Sequence, residues 1–363
     1  MAATRRLATR AARRKLEAMD NYLGILTGGG DCPGLNAVIR AVVRRAQDAH
    51  IPMLGIYTGW QGLIDGNVAP LTKHSVAGIQ YRGGTILGTS RVNPLVGDDT
   101  LKKVQDNWRR FGLGRLIVVG GNGTLSCSMR MWRDHGYPIV GVPKTIDNDI
   151  PGTDYTFGFD TAVSIATDAI DRLHTTAEAL HRVMVVEVMG RHSGWIAAYA
   201  GLAGAADLIL VPEIPFRMSE ICDMLTKRKQ MGRPFSIVVV AEDAKPHPEE
   251  DFLTEDERAR VFHENRLGGI GHLVAAQIEE RTRLESRVSV LGYIQRGGAP
   301  TACDRVLATR LGVYAVEMVL REEFGSMAAV HGTRMASVPL VEIADKYRPL
   351  DEEIYKTATT FFG

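Results

Sequence analysis

Short apolar runs alternate along the chain with longer stretches whose apolar residues recur every three or four positions. The runs predict strands at Tyr22–Leu26, Leu54–Tyr57, Leu116–Val119, Ile139–Val142, Val183–Val188, Leu208–Val211, Ile237–Ala241 and Val288–Leu291. The periodic stretches predict helices that include Asn36–Ala46, Asp160–Leu180, Met218–Gln230 and Asp304–Leu320. Strands that alternate with helices and carry little internal polarity imply α/β layering around mostly parallel sheets. No low-complexity linker divides the chain and no short tandem repeat occurs, so two domains would have to exchange the polypeptide more than once. The Pro-, Glu- and Asp-rich segment Asp243–Glu257 reads as a solvated surface excursion.

At 363 residues the chain allows one large or two moderate domains. A 45% hydrophobic and 23% charged composition excludes wholesale disorder, and no apolar run is long enough for a membrane span. Cys32, Cys127, Cys222 and Cys303 are scattered and form no C-x-x-C pair, which argues against a disulfide framework or zinc site and for a cytoplasmic setting. The net charge of +1 is uneven. Arg5, Arg6, Arg10, Arg13, Arg14 and Lys15 crowd the start without an acidic residue, leaving a mildly acidic body with no footprint for nucleic acid. Three readings of this leader stand: a sequence artefact, a basic arm, or a transit peptide.

Much of the glycine falls at strand ends. Gly28-Gly29-Gly30-Asp31-Cys32-Pro33-Gly34 follows the first strand and precedes a helix, where backbone amides and a helix N-terminus can meet an anion. Gly120-Gly121-Asn122-Gly123-Thr124 repeats that arrangement after another strand. Two such turns at the carboxyl ends of strands describe a phosphate crevice, toward which Arg91 could extend a forked guanidinium. A third cluster, Pro143-Lys144-Thr145-Ile146-Asp147-Asn148-Asp149, carries two carboxylates two residues apart. One can accept a hydroxyl proton while the other helps organise a metal, a division of labour suited to phosphoryl transfer. Arg182, Arg191, Arg287 and Arg296 stand near further strands and glycine turns, and Glu242 closes a strand where it could accept hydrogen bonds from sugar hydroxyls. His192 reads as structural, since Asp147 already supplies a base.

Four stretches together resemble the phosphofructokinase family, which includes bacterial ATP-dependent enzymes and pyrophosphate-dependent relatives. They are GGGDCPGLN from Gly28, PKTIDND from Pro143, EVMGRHSGW from Glu187 and GYIQRGG from Gly292. The resemblance implies two similar three-layer α/β lobes with mostly parallel sheets and the active site in the cleft between them. It divides the chain into a leader over residues 1–20, a donor lobe with the general-base loop over 21–159, a sugar-phosphate lobe over 160–320, and a C-terminal segment, 321–363, returning toward the first lobe. The implied chemistry is attack of the 1-hydroxyl of fructose 6-phosphate on a phosphoryl donor, with Mg²⁺.

Carried over by position, the resemblance makes Asp147 the proton acceptor, with Thr145, Asp149 and Arg191 completing the catalytic set. Gly29, Arg91, Val92, Gly121, Asn122, Gly123 and Thr124 would line the ATP site, and Asn122 and Asp149 would face the metal. Sugar-phosphate contacts would come from Met189, Gly190, Arg191, Glu242, Tyr293 and Arg296, besides Thr145 and Asp147. The matches to Arg182 and Arg287 reach in from a neighbouring subunit, which implies a homodimer or homotetramer. Two positions bear on the donor. Gly123 follows ATP users, because a carboxylate there would crowd and repel the nucleotide's α-phosphate; Lys144 is usual in pyrophosphate users. The combination resembles a mixed subgroup that mostly uses ATP, so ATP is expected, with pyrophosphate as the alternative. Asn122 departs from the family's Asp and brings no charge to a cation. It leaves open a catalytically weakened or silent binding subunit. Arg40, Arg44 and Arg45 share a helix near the family's effector pocket, or form a plain solvated face.

Overall fold

A computed structural model describes residues 22–263 and 266–363. The basic leader lies outside the described residues. Five strands come first: β1 (Tyr22–Thr27), β2 (Met53–Ile56), β3 (Val68–Leu71), β4 (Leu113–Gly120) and β5 (Ile139–Pro143). Six follow: β6 (Val183–Val188), β7 (Leu208–Leu210), β8 (Ser236–Ala241), β9 (Phe262–His263), β10 (Arg266–Leu267) and β11 (Ser286–Val290). The chain then adds β12 (Ser326–His331) and β13 (Arg334–Pro339).

The fold comprises two compact units. The first holds the described residues up to Thr145, together with Ile150–Gly158 and Gly298–Lys346. Its sheet has seven strands in the order β13-β12-β5-β4-β1-β2-β3. The central pairings are parallel, and both edges, β2 with β3 and β12 with β13, are antiparallel. One face buries Leu26, Leu54, Leu116 and Val118 against Trp60, Leu63, Val104 and Met131. In the same unit, helices Leu35–Asp48 and Ala302–Leu320 pack so closely that a methyl group on Gly312 would come within 2.9 Å of Ala41 Cβ. Burial on both faces explains why the central strands read as unbroken apolar runs.

The second unit holds Ile146–Asp149, Phe159–Gly297 and Tyr347–Gly363. Its four-stranded sheet is fully parallel in the order β11-β6-β8-β7, beside the small antiparallel ribbon β9–β10. Val238 and Val240 of β8 join the core beneath helices Met218–Gln230 and Ile270–Thr282. Between them Val239 faces the other way, with its Cβ 3.5 Å from the Cβ position of Gly201 on helix Trp195–Ala203.

The expected strands and helices all form, with ends shifted by a few residues. The expected α/β class with mostly parallel sheets holds, the first sheet having seven strands with antiparallel edges and the second four parallel strands. The division differs from the expected boundaries. Ile146–Asp149 and the terminal Tyr347–Gly363 join the second unit, whereas Gly298–Leu320 joins the first. Periodicity identified Asp304–Leu320 as a helix, yet its partner is the helix Leu35–Asp48, a long-range contact that periodicity does not encode. β3 carries Pro70, and β12 carries Ala328 and Ala329 in place of larger strand formers. Both are weak strand signals, tolerated at or beside a sheet edge. The excursion Asp243–Glu257 is more ordered than expected. Arg217 pairs with Glu249 at 2.7 Å, Ser219 Oγ donates to Glu250 at 2.6 Å, and Thr254 and Glu257 form a capping box.

Candidate active site

The first unit gathers the residues expected to hold the phosphoryl donor. Beyond β1 the glycine turn ends at Gly34, whose φ of 106° suits glycine and whose absent side chain leaves room for the Phe157 ring. Beyond β4, Gly121 caps a helix running Asn122–His135, so Asn122, Gly123 and Thr124 form its first turn. The N–H groups of such a turn lack intrahelical acceptors and, with the helix dipole, favour an anion. Thr124 locks the two glycine turns together. Methyl groups at Gly28 and Gly120 would approach its side chain to 2.8 and 2.4 Å. Around the Cβ position of Gly123 lies open space, with no atom within 4 Å.

A third segment closes on these turns. Gly29 N–H donates to Ser90 O at 2.9 Å and Thr89 Oγ1 donates to Gly29 O at 2.7 Å, which seats the exposed Arg91 and Val92 beside the first glycine turn. The segment is also tied down by Asn36. Its side-chain amide donates to Arg82 O and Gly83 O, both at 3.1 Å, and its oxygen accepts from Ile86 N–H at 2.8 Å. Thr27 adds a hydrogen bond to Gly88 O at 2.6 Å. Lys144 extends β5 and is only 3% exposed. Its ammonium donates to Gly30 O, and it would lie 3.4 Å from a methyl group on Gly29. The structure therefore brings Gly29, Arg91, Gly121–Thr124 and Lys144 into one neighbourhood. Thr145 continues that strand end, with its carbonyl accepting from Thr156 Oγ1 at 2.8 Å.

The second unit gathers the residues expected to meet the sugar phosphate. Asp147, Asn148 and Asp149 form a loop bent at Asn148, which is buried and has φ of 52°. Beyond β6, Met189, Gly190 and Arg191 make a tight turn; a methyl group on Gly190 would come within 2.6 Å of Ser193 O. Glu242 follows β8 and accepts from Gly190 N–H at 3.4 Å. Burial, and then the negative charge of Asp147, push the Glu242 carboxyl up to about 7. Tyr293 and Arg296 lie in the 3₁₀ turn Gly292–Arg296 beyond β11, with Tyr293 strongly exposed. Between them Gln295 is fully buried; it accepts from Met189 N–H at 3.3 Å and donates to Gly292 O at 3.1 Å, tying the two turns together.

His192 packs on the Tyr347 ring at 4.1 Å between centroids. Burial, then the Arg191 guanidinium, hold its pKa below the usual histidine value, in keeping with a structural neutral ring. Arg182 and Arg287 stand apart from this group. Arg182 precedes β6 and Arg287 is near the start of β11, whereas Met189 lies beyond the far end of β6, on the order of 20 Å along the strand. Both arginines pair with Glu285, Arg182 at 2.8 Å. Arg45, from the basic helix face, pairs with Glu317 at 2.6 Å, so that face is not wholly solvated.

Of the two residues expected to face a metal, Asn122 belongs to the first unit and Asp149 to the second. Among the described residues no group of three or more His, Cys, Asp or Glu side chains could hold an ion. Asn122 offers a neutral amide on the electropositive end of a helix. These residues do not fit a resident Mg²⁺ held by protein ligands alone.

Asn36, Gln295 and Ser193 lay within or beside the diagnostic motifs without an assigned role. Their importance rests on hydrogen bonds to backbone far away in sequence, which residue type does not reveal. The four cysteines form no disulfide, and no helix among the described residues is long and apolar enough to cross a membrane.

The phosphofructokinase family profile matches residues 22–319. A pyrophosphate–fructose 6-phosphate 1-phosphotransferase of Streptomyces coelicolor is 50% identical over 342 residues, covering 94% of this chain and 99% of its own. ATP-dependent 6-phosphofructokinase 3 of the same organism is 48% identical over 338 residues, covering 93% and 98%. Among solved structures, Pichia pastoris phosphofructokinase in the T-state aligns with a TM-score of 0.78 and 32% identity over 94% of this chain, which spans 38% of that longer one. With a family match across most of its length and relatives this similar end to end, the chain belongs to the phosphofructokinase family.

Proposed function

We propose that the chain is an ATP-dependent 6-phosphofructokinase, producing fructose 1,6-bisphosphate and ADP from fructose 6-phosphate and ATP. Fructose 6-phosphate would be held by Met189–Arg191, Tyr293 and Arg296, with Glu242 accepting from its hydroxyls. The 1-hydroxyl oxygen attacks the γ-phosphorus of ATP, the bond from that phosphorus to the ADP oxygen breaks, and the hydroxyl proton passes to Asp147. The helix turn Asn122–Thr124 and Arg91 would neutralise donor phosphates, and Thr145 would sit beside the transferring group. Mg²⁺ would arrive as part of the substrate, MgATP, neutralising phosphate charge. Asp149 would support that end of the loop.

The observation that carries the choice of ATP is the open space at Gly123, which leaves room for the rest of a nucleotide. A second reading, pyrophosphate as donor, is favoured by Lys144 and by the 50% identical pyrophosphate-dependent relative. Burial of the Lys144 ammonium on the Gly30 carbonyl gives this lysine a role in shaping the glycine turn, which is compatible with either donor. Arg182 and Arg287, far along the strands from Met189, would serve the site of a second copy, so the working enzyme would be a homodimer or homotetramer.

Fructose 1,6-bisphosphate formation measured with ATP and pyrophosphate in parallel tests this reading. Turnover with ATP is expected, and Asp147→Ser should lower it by roughly 10²–10⁴-fold while fructose 6-phosphate binding survives. Turnover with pyrophosphate alone would reverse the donor assignment. Failure with both would leave a silent binding subunit.

A further inference from the structure

We infer that Ser193 is a positioning residue for the general base, holding the Asp147 backbone from the sugar-phosphate turn. Resting on the reading of Asp147 given above, the inference starts from the backbone. Asn148 is non-glycine, almost fully buried, and left-handed, at φ 52°. Asn is among the non-glycine residues that take this conformation most readily, so the bend is locally permitted and its direction is set by what holds the neighbouring backbone. Two hydrogen bonds hold the carbonyls of the residues on either side. The Ser193 hydroxyl donates to Asp147 O at 3.1 Å, and Arg348 N–H donates to Asp149 O at 2.7 Å.

Each grip is itself anchored. Ser193 is fully buried, and its own carbonyl fills the space that glycine leaves at Gly190. Arg348 stacks its guanidinium 4.4 Å from the centre of the Trp195 ring, whose indole N–H donates to Arg348 O at 3.4 Å. One residue further on from Pro349, Leu350 N–H donates to Glu213 at 2.8 Å, and Glu213 also accepts from Gly194 N–H at 3.0 Å. The turn from Met189 to Gly194 therefore does two things. Its first half faces the sugar phosphate, and its second half fixes the direction in which Asp147 leaves the backbone. The bound sugar and the base that deprotonates it are thereby referred to one rigid turn, and catalysis is sensitive to displacements of the order of 1 Å between such groups.

The test is a double-mutant cycle on turnover of fructose 6-phosphate. Ser193→Ala removes one hydrogen bond to the Asp147 carbonyl and no group that meets the sugar. It should lower kcat by about 10- to 100-fold with KM for fructose 6-phosphate within about threefold of the parent. Ser193→Cys, which keeps a weaker donor, should recover part of the loss. In an Asp147→Ser background the same Ser193→Ala change should have no further effect, because nothing remains for it to position. Parent-like kcat in Ser193→Ala would overturn the inference. So would an equal fold-loss in both backgrounds, or a rise in KM that accounts for the whole effect, each of which marks a general structural role. A parent chain inactive with both ATP and pyrophosphate would overturn the functional reading itself, and this inference with it.

Discussion

The Glu242 carboxylate accepts from the Gly190 N–H at 3.4 Å while facing the negative charge of the candidate base Asp147, which opposes the ionisation of Glu242. Burial is the larger cause of the upward shift to about 7, and Asp147 adds to it. Near neutrality the free protein therefore holds Glu242 partly protonated.

That shift has a sign in stability. The folded pKa of Glu242, about 7, lies above the unfolded value of 4.5, so the folded state binds the extra proton between those limits. Stability from this group is fully present below about pH 4.5 and is lost as pH rises toward 7. Glu242→Gln removes the penalty. The variant should match the parent near pH 5 and exceed it by about 1–3 kcal/mol at pH 8, read from urea or thermal unfolding. Its KM for fructose 6-phosphate should rise, because an amide is the weaker acceptor for sugar hydroxyls. An equal stability difference at both pH values would show that Glu242 is not the titrating group.

Much of this organisation was legible in the residues. Runs such as Leu116–Val119 and Ile237–Ala241 are apolar on both faces because helices cover both sides of each sheet, and that pattern needs no further information. The motif residues Gly121–Thr124, Asp147 and Met189–Arg191 fall at strand ends, as strand–turn–helix order requires. What escaped were relations between distant segments. Asn36 clasps a loop some fifty positions away, and Gln295 reaches Met189 across more than a hundred. Neither a helix period nor a glycine turn encodes such a partner. The hairpin β12–β13 was missed for a local reason. Its first strand is built on small alanines that fit beneath neighbours but carry little hydrophobic signal, and its turn relies on Gly332 at φ 56°.

Donor choice can be addressed at a position the fold leaves free. Gly123 is exposed in the first turn of the helix Asn122–His135, and beyond its own helix a Cβ there would meet no atom within 4 Å. Gly123→Asp should therefore fold as well as the parent or gain roughly 0.3–1 kcal/mol, since a carboxylate suits a helix N-terminus. The same carboxylate would project toward the nucleotide's α-phosphate. The expected outcome is a fall of about tenfold or more in kcat/KM for ATP with pyrophosphate use spared, measured side by side. An unaltered donor ratio would remove Gly123 as the discriminator and leave Lys144 in its place.

Asn122 poses the complementary question, because it brings an amide where the family resemblance calls for a carboxylate. It is the first residue of the same helix, where the aligned peptide dipoles already favour negative charge. Asn122→Asp is therefore compatible with the fold and should raise stability slightly. Its functional effect is on the cation carried by the donor, since a charged oxygen ligand binds Mg²⁺ more strongly than a neutral one. Half-saturation of turnover should move to Mg²⁺ concentrations on the order of tenfold lower than in the parent, with the fructose 6-phosphate KM unchanged. The direction of change identifies what the amide does. A coincident Mg²⁺ titration in the two proteins would show that the electropositive helix turn and Arg91 already neutralise the donor phosphates, leaving residue 122 no cation to hold. Activity appearing only in Asn122→Asp would instead place the whole catalytic deficit of this chain at a single side chain.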